Sequence, residues 1–321
     1  IGIHRATREI TIVDLSENLL ENPSLDSVWA GPAGLVDAPC HHTCPAGVKA
    51  HRYVRAISRG KFDEAYLVVR ESMPLPSVCG LVCFHPCESR CRRGSLDEPI
   101  AIRALKGAAV KYGARAEART GKPAPRTGKK VAVVGSGPAG LTAAYYLSKV
   151  CGHQVTVFEQ FEKLGGMLRY GIPRYRLGAE DLDRDIAIVR RAGVKFKTRT
   201  RVESSSKLLK QGFDAVFLSL GAHQGLSLRM PGEKSPGVTD CVQFLREVSR
   251  GKRPRLGQEV VVIGGGNSAI DAARTARRLG ARVTILYRRT RAEMPADPHE
   301  IGDALEEGAV SYTHLRAHET S

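Results

Sequence analysis

An α/β fold, two Rossmann-like parallel-sheet domains behind a small all-α domain, is what the sequence predicts, and three observations predict it. An apolar run at 131–134 feeds into Gly135-x-Gly137-x-x-Gly140 and then an alanine-rich helical pattern. The arrangement recurs as an apolar run at 259–263, then Gly264-x-Gly266-x-x-Ala269 and a helical stretch to Leu279. Ahead of both lies a helix-and-loop region bearing Cys40, Cys44, Cys79, Cys83, Cys87 and Cys91. Strand, glycine turn and helix in that order form the local pattern of a parallel sheet that binds dinucleotides at its strand ends.

The length of 321 residues allows two or three domains with their own cores. There is no run of about 18 apolar residues and no charged, apolar and then small-residue leader, so neither membrane nor secretion is expected; the expected compartment is the cytoplasm. The net charge is +16. Lys and Arg are nevertheless spread along every segment without interleaved stacking aromatics, so no nucleic-acid partner is expected. A basic surface of this kind favours phosphorylated cofactors and acidic partners.

No function is assigned to residues 1–38. The helical domain occupies 39–113, with helices expected at 48–58, 62–71 and 100–112. Cys79, Cys83, Cys87 and Cys91 follow one another at a uniform four-residue step, broken by Pro86, which gathers several thiols in one small volume. Zinc sites more often use pairs two residues apart and stop at four ligands. More numerous thiolates, with Pro45 directly after Cys44, fit a [4Fe–4S] cluster better; zinc and plain buried thiols are the alternatives. His41, His42 and His85 are read as hydrogen-bonding or surface neighbours. A stretch rich in Ala, Arg, Gly, Lys and Pro at 114–129 is a linker.

The first nucleotide domain spans 130–254. Gly135 permits the tight turn, Gly137 lets the backbone approach a pyrophosphate, and Gly140 lets helix and strand pack closely. Pro138 and Ala139 then open a helix whose N-terminus faces the phosphates. A strand at 154–158 ends in Glu159, which accepts hydrogen bonds from a ribose and repels a 2′-phosphate, so the nucleotide is FAD or NAD rather than NADP. Gly165 and Gly166, followed by Met167, let the backbone come close to something bulky, for which a flavin is the candidate. A helix at 179–192, a strand at 194–197, a buried strand at 214–220 and a helix at 239–250 complete this part.

The second nucleotide domain spans 255–309. After Gly264 and Gly266, the residues Asn267, Ser268 and Ala269 open the helix. The following strand, 282–286, ends in Tyr287, Arg288 and Arg289 instead of an acid. Arginines there can fork onto a 2′-phosphate, which makes NADPH the expected ligand; a surface arginine cluster beside an empty turn is the alternative. Cys151 and Cys241 are read as buried small hydrophobes.

In this order, the cysteine domain, Val-Val-Gly-Ser-Gly-Pro-Ala-Gly, Gly-Gly-Met-Leu-Arg-Tyr-Gly-Ile-Pro and Gly-Gly-Gly-Asn-Ser-Ala-Ile-Asp resemble the small (β) subunit of NADPH-dependent glutamate synthase, over roughly residues 38–308. The chain is similar also to the N-terminal half of dihydropyrimidine dehydrogenase and to the FAD subunit of NADPH-ferredoxin:NAD transhydrogenases. The resemblance implies a helical-ferredoxin-like iron–sulfur domain followed by an FAD domain with an inserted NADPH domain. It implies an oxidoreductase that passes electrons from NADPH through FAD and a [4Fe–4S] cluster to a large subunit or a ferredoxin. Catalytic residues in that case are those that position rings, with no side chain acting as acid, base or nucleophile. Two other readings are a non-catalytic scaffold subunit through which electrons pass and a disulfide reductase of the thioredoxin-reductase type. The latter needs a redox dithiol near the flavin, and no Cys-x-x-Cys follows residue 91.

The sequence departs from that family at three places. Where the family's first cluster has cysteines eight and five residues before Cys40, this chain has Pro32 and Leu35. The family completes a cluster on the counterparts of Cys44, Cys83 and Cys87 with a Glu or Gln, where this chain has Lys106; a charged ammonium has no lone pair to offer. Cys79 is therefore expected to take the fourth place, with Cys40 and Cys91 as a separate pair. The family's return to the FAD domain, with its Gly-Asp flavin contact, is not in this sequence, and residues 310–321 resemble translated sequencing-adapter read-through and are expected to be a non-native tail.

Overall fold

The computed structural model describes residues 38–225 and 231–313. Residues 1–37, which include the positions of Pro32 and Leu35, and most of the expected tail, 314–321, lie outside the described residues.

The cysteine domain is helical throughout: α1 (Pro39–His42), α2 (Ala50–Ile57), α3 (Phe62–Arg70), α4 (Pro76–Val82), α5 (Pro86–Ser89) and α6 (Ile102–Gly113). Its core is built by Val48, Tyr53, Ala65, Val69, Ala109 and Cys87, with Cys40, Cys44 and Cys79 packed against it. Glycines set how closely these helices approach. A Cβ on Gly80 of α4 would lie 3.0 Å from the Gly107 Cα of α6, and one on Gly113 would lie 2.1 Å from the Phe62 carbonyl oxygen.

The first sheet contains β1 (Lys130–Val134), β2 (Gln154–Phe158), β3 (Lys195–Lys197) and β4 (Ala215–Leu218), in the order β3-β2-β1-β4 and parallel throughout. Parallel strands need crossover helices. Here α7 (Pro138–Lys149) follows β1, while α8 (Met167–Tyr170) and α9 (Ala179–Arg191) lie between β2 and β3. Leu75 and Val78 of the cysteine domain belong to the same core as Val133, Leu141, Val157 and Leu182. The two domains therefore share one apolar interior. Helix α10 (Ser205–Lys210) precedes β4.

After α11 (Cys241–Ser249), the second sheet has the order β5-β6-β7, formed by β5 (Glu259–Ile263), β6 (Arg282–Tyr287) and β7 (Val310–Thr313). Helices α12 (Asn267–Arg278) and α13 (Pro298–Glu306) supply Ile270, Ala273, Ile301 and Ala304 to its core. Val261, Ile263, Val310 and Tyr312 are exposed on these strands.

Two expectations are corrected. The run at 214–220 is not a buried strand: β4 is the outer strand of its sheet, Ala215 and Leu218 are exposed, and Leu220 is 62% exposed. A continuous apolar run signals burial only for an inner strand. Cys151 is exposed in the turn after α7 and is not a core residue, whereas Cys241 is half-buried. The start of the expected tail, Val310–Thr313, pairs in parallel with β6. Ladder bonds use only the backbone, so a stretch without family side chains can still complete a sheet.

Candidate functional site

The first glycine turn is fixed by backbone contacts. Gly135 has φ +103, and a Cβ there would lie 2.2 Å from the Ser219 carbonyl oxygen. A Cβ on Gly140 would lie 2.0 Å from the Gly135 carbonyl oxygen, so the first turn of α7 packs directly on the loop that precedes it. Gly137 is different, because a Cβ there would meet nothing within 4 Å. It caps α7 without any side-chain hydrogen bond, so the helix N-terminus presents free amides to open space. Such a terminus favours an anion such as a phosphate.

Glu159 is almost fully buried beside this turn. Its Oε2 accepts from the Ser136 amide at 3.0 Å and the Ser136 hydroxyl at 2.6 Å, and its Oε1 accepts from the Phe161 amide at 2.9 Å. Ser136 Oγ in turn accepts from the Gly165 amide at 3.0 Å. A chain of hydrogen bonds thus joins the glycine turn, the acid after β2 and the Gly165-Gly166 pair. Gly166 has φ +52, and its Cβ would lie 2.7 Å from the Gly137 Cα, so this second loop is pressed against the first. Four lone-pair sites on a carboxylate minus three occupied ones leave one for a ribose hydroxyl. Ser136 was not singled out from the sequence, because its role depends on Glu159 and Gly165, both remote in the chain.

The second turn repeats the design with one change. Gly264 has φ +134, and its missing Cβ would lie 3.3 Å from the Ala269 Cβ. Gly266 caps α12, again with nothing within 4 Å of a Cβ and no side-chain cap. Asn267 Oδ1 accepts from the Asp297 amide at 3.1 Å, which ties the start of α12 to the loop before α13. Ser268 lies at the same helix start. Arg288 and Arg289 follow β6 and are exposed. Among the described residues, neither guanidinium has a hydrogen-bond or ion-pair partner, so both remain available to a phosphate.

Tyr53 feels the charges of Cys87, Cys44, Cys40 and Cys83, which places these thiols around one buried ring. Cys79 and Cys87 each feel the charges of Cys44, Cys83 and Lys106. The thiol neighbour of Cys40 is Cys91. Burial pushes the Cys79 and Cys87 thiols up to about 11, with Lys106 opposing the rise. Such thiols stay protonated until a metal displaces the protons. Among the described residues, no three His, Cys, Asp or Glu side chains converge on a single ion. Tyr53, fully buried, walls the group and donates to the Ile102 carbonyl at 2.9 Å.

The three domains meet at a cavity of about 210 Å³ lined by Cys83, Phe84, Met167, Arg176, Asn267, Asp271 and Asp297, among others. His85, in the left-handed region at φ +45, places Nε2 3.2 Å from Asp297 Oδ2, and Arg103 Nη1 lies 2.9 Å from the same oxygen. Burial alone would raise the Asp297 carboxyl, but the His299 amide, His85 and Arg103 hold it below the ordinary range. Arg176 bonds Asp271 at 2.7 Å and Glu300 at 2.9 Å. Asp271 Oδ1 is buried without a partner among the described residues, an acceptor left open beside the cavity. His85 was read as a hydrogen-bonding or surface neighbour, but nothing in the sequence pairs it with Asp297.

Residues 129–310 match the family described as pyridine nucleotide-disulphide oxidoreductase. Residues 35–118 match that described as dihydropyrimidine dehydrogenase domain II, 4Fe-4S cluster. The chain is 45% identical over 280 residues to the beta subunit of an NADPH-Fe(3+) oxidoreductase from Geobacter sulfurreducens, covering 84% of this chain and 42% of that protein. It is 42% identical over 303 residues to the beta subunit of an NADP(+)-dependent formate dehydrogenase from Moorella thermoacetica, covering 86% and 43%. The glutamate synthase [NADPH] small chain of Mycobacterium tuberculosis is 34% identical over 258 residues, covering 75% and 53%. The chain thus spans less than half the length of the first two. Among solved structures, 2-naphthoyl-CoA reductase aligns over 86% of this chain and 41% of its own with a TM-score of 0.54 at 20% identity, a likeness of fold.

Proposed function

Since the chain belongs to the pyridine nucleotide-disulphide oxidoreductase family, with a dihydropyrimidine dehydrogenase domain II 4Fe-4S module ahead of it, we propose that it takes electrons from NADPH and delivers them through FAD and a [4Fe–4S] cluster to a partner subunit or a ferredoxin. The bound flavin accepts two electrons together and releases them singly, and the cluster carries them one at a time. Everything else is placement by this chain. Gly137 and the α7 amides would hold the FAD pyrophosphate, Glu159 its ribose, and the Gly165-Gly166-Met167 loop its ring system. Gly266, Ser268 and the α12 amides would hold the NADPH pyrophosphate, with Arg288 and Arg289 on the 2′-phosphate. Cys44, Cys79, Cys83 and Cys87 would hold the cluster.

The observation that carries this reading is the three-domain cavity. Cys83 from the cysteine domain, Met167 next to the Gly165-Gly166 loop and Asn267 at the start of α12 line one space. Donor, flavin and cluster sites therefore open toward a common point, which is the proximity that electron relay needs. A disulfide reductase would need a dithiol there instead. Cys151 and Cys241 are both free, and the thiol that does line the cavity, Cys83, is assigned here to the cluster.

The experiment is anaerobic addition of NADPH to the FAD-loaded protein with no partner present. Bleaching of the flavin absorption, faster with NADPH than with NADH, is expected. A flavin that stays oxidised under excess NADPH favours the scaffold reading.

A further inference from the structure

Lys106 is a feature of the cysteine domain that the reading above leaves unused. It lies on α6, and only 4% of it is exposed. Its one hydrogen bond runs from Nζ to the Cys79 carbonyl oxygen at a long 3.4 Å. Among the described residues no carboxylate pairs with it. The carboxylate that Cys79 feels is committed elsewhere: Asp185, fully buried on α9, accepts from the Ser77 amide at 3.1 Å and the Val78 amide at 2.9 Å. An ammonium with three donors, one long bond and no anion is an anomaly in a protein interior, where buried charges are paired.

The packing explains how it is held there. Gly80 and Gly107 abut where α4 crosses α6: a Cβ on Gly107 would lie 3.3 Å from the Gly80 carbonyl oxygen. Lys106 adjoins Gly107 and Cys79 adjoins Gly80, so the crossing that brings the two glycines together brings the ammonium against the thiol-bearing helix. Cys79 and Cys87, on different helical segments, both feel this one positive charge more strongly than any other charge. The ammonium thus stands beside the Cys79 and Cys87 thiols, and the anion it lacks is the one those thiols would form.

Resting on the cluster assignment above, we propose that Lys106 is a fixed counter-charge for the cluster held by Cys44, Cys79, Cys83 and Cys87, and that it raises the potential at which the cluster accepts its electron. Four thiolates around a [4Fe–4S] core carry net negative charge, and reduction adds one more. A desolvated cation beside them stabilises the reduced form more than the oxidised form, since net charge and hydrogen bonding set these potentials. Lys106 supplies no ligand and accepts no electron; it acts through the sulfurs it faces.

The test compares wild type with Lys106→Met and Lys106→Arg in the whole chain, reconstituted anaerobically, with iron counted and the cluster titrated by spectroscopically monitored reduction. At a fixed potential, the ratio of reduced to oxidised cluster in Lys106→Met should be at least tenfold lower, about 59 mV for a one-electron couple. Lys106→Arg, which keeps the charge, should stay near wild type. A purely structural role, such as closing the end of α4, would alter stability in Lys106→Met and leave the potential in place, and that result overturns the proposal. If Lys106→Met does not fold, the neutral Lys106→Gln takes its place: a fall of that size supports the counter-charge, and an intact cluster at the wild-type potential overturns it. Wild-type protein that takes up no iron overturns the cluster assignment itself, an outcome distinct from an intact cluster indifferent to Lys106.

Discussion

At the scale of single residues, two charged groups have measurable consequences. Arg288 and Arg289 follow β6, exposed and without a partner among the described residues, and a charge-assisted bond to phosphate contributes about 1.5–3 kcal/mol. Replacing both with Ala should weaken binding of 2′-phospho-ADP-ribose at least tenfold by calorimetry and leave ADP-ribose unchanged; equal losses would remove the arginines from the phosphate site. Asp271 bears on stability. Burial pushes its carboxyl up to about 6, with Arg176 working against the rise. The unfolded chain releases that proton near pH ~4, so between about 4 and 6 the native state binds more proton than the unfolded one. The group's contribution is therefore greatest below about pH 4 and declines as pH rises toward 6, by about 3 kcal/mol over two pH units. Asp297, Glu117 and Glu307, held low, act in the opposite sense. Asp271→Asn should thus flatten the downward part of the wild-type profile, read as urea midpoints from pH 4 to 7. Parallel profiles would show that Asp271 titrates normally.

At the scale of elements, the glycines decide which helices and loops can meet. Gly137 and Gly266 leave space for a ligand, while Gly135, Gly140 and Gly166 leave space for backbone. A sequence motif displays both kinds alike. The α4–α6 crossing offers a direct test, because Gly80→Ala places a Cβ 3.0 Å from the Gly107 Cα. Overpacking of this kind costs about 1–3 kcal/mol. It should also move Cys79, so reconstituted iron should become more labile to chelator than in wild type. Stability lost without any change in iron release would argue that Cys79 is not a ligand. In the same assay Cys79→Ala should release iron faster than Cys40→Ala.

At the scale of the whole molecule, the cysteine domain is joined to the first nucleotide domain by a shared core and to the second by charge. Asp297 is the centre of the second junction: Oδ1 caps α13 by accepting from the His299 amide at 3.0 Å, while Oδ2 meets His85 and Arg103. Asp297→Ala removes the cap, at about 0.5–2 kcal/mol, and both bridges at once. Hydrogen exchange is expected to quicken in α13 and in the 83–88 loop together. Faster exchange confined to α13 would mean that the bridges do not hold the domains. No helix among the described residues is long and apolar enough to cross a membrane.

What the sequence determined by itself is the set of features that depend on neighbours a few residues away. Strand, glycine turn and helix are legible at 131–141 and 259–270 because φ and local period dictate them. The six clustered cysteines are legible because their thiols have few other uses in such number. The tertiary structure decided what those features face. Ser77 and Asp185 are 108 residues apart, and His85 and Asp297 are 212 apart; no local pattern encodes such pairs. It also decided that β4 is an edge, since an apolar run is the same in the middle of a sheet and at its margin. Lys106 is the clearest case. In the sequence it is a residue unable to ligate; only the crossing of Gly80 and Gly107 makes it a cation buried among thiols, because burial and charge pairing are properties of the packed chain.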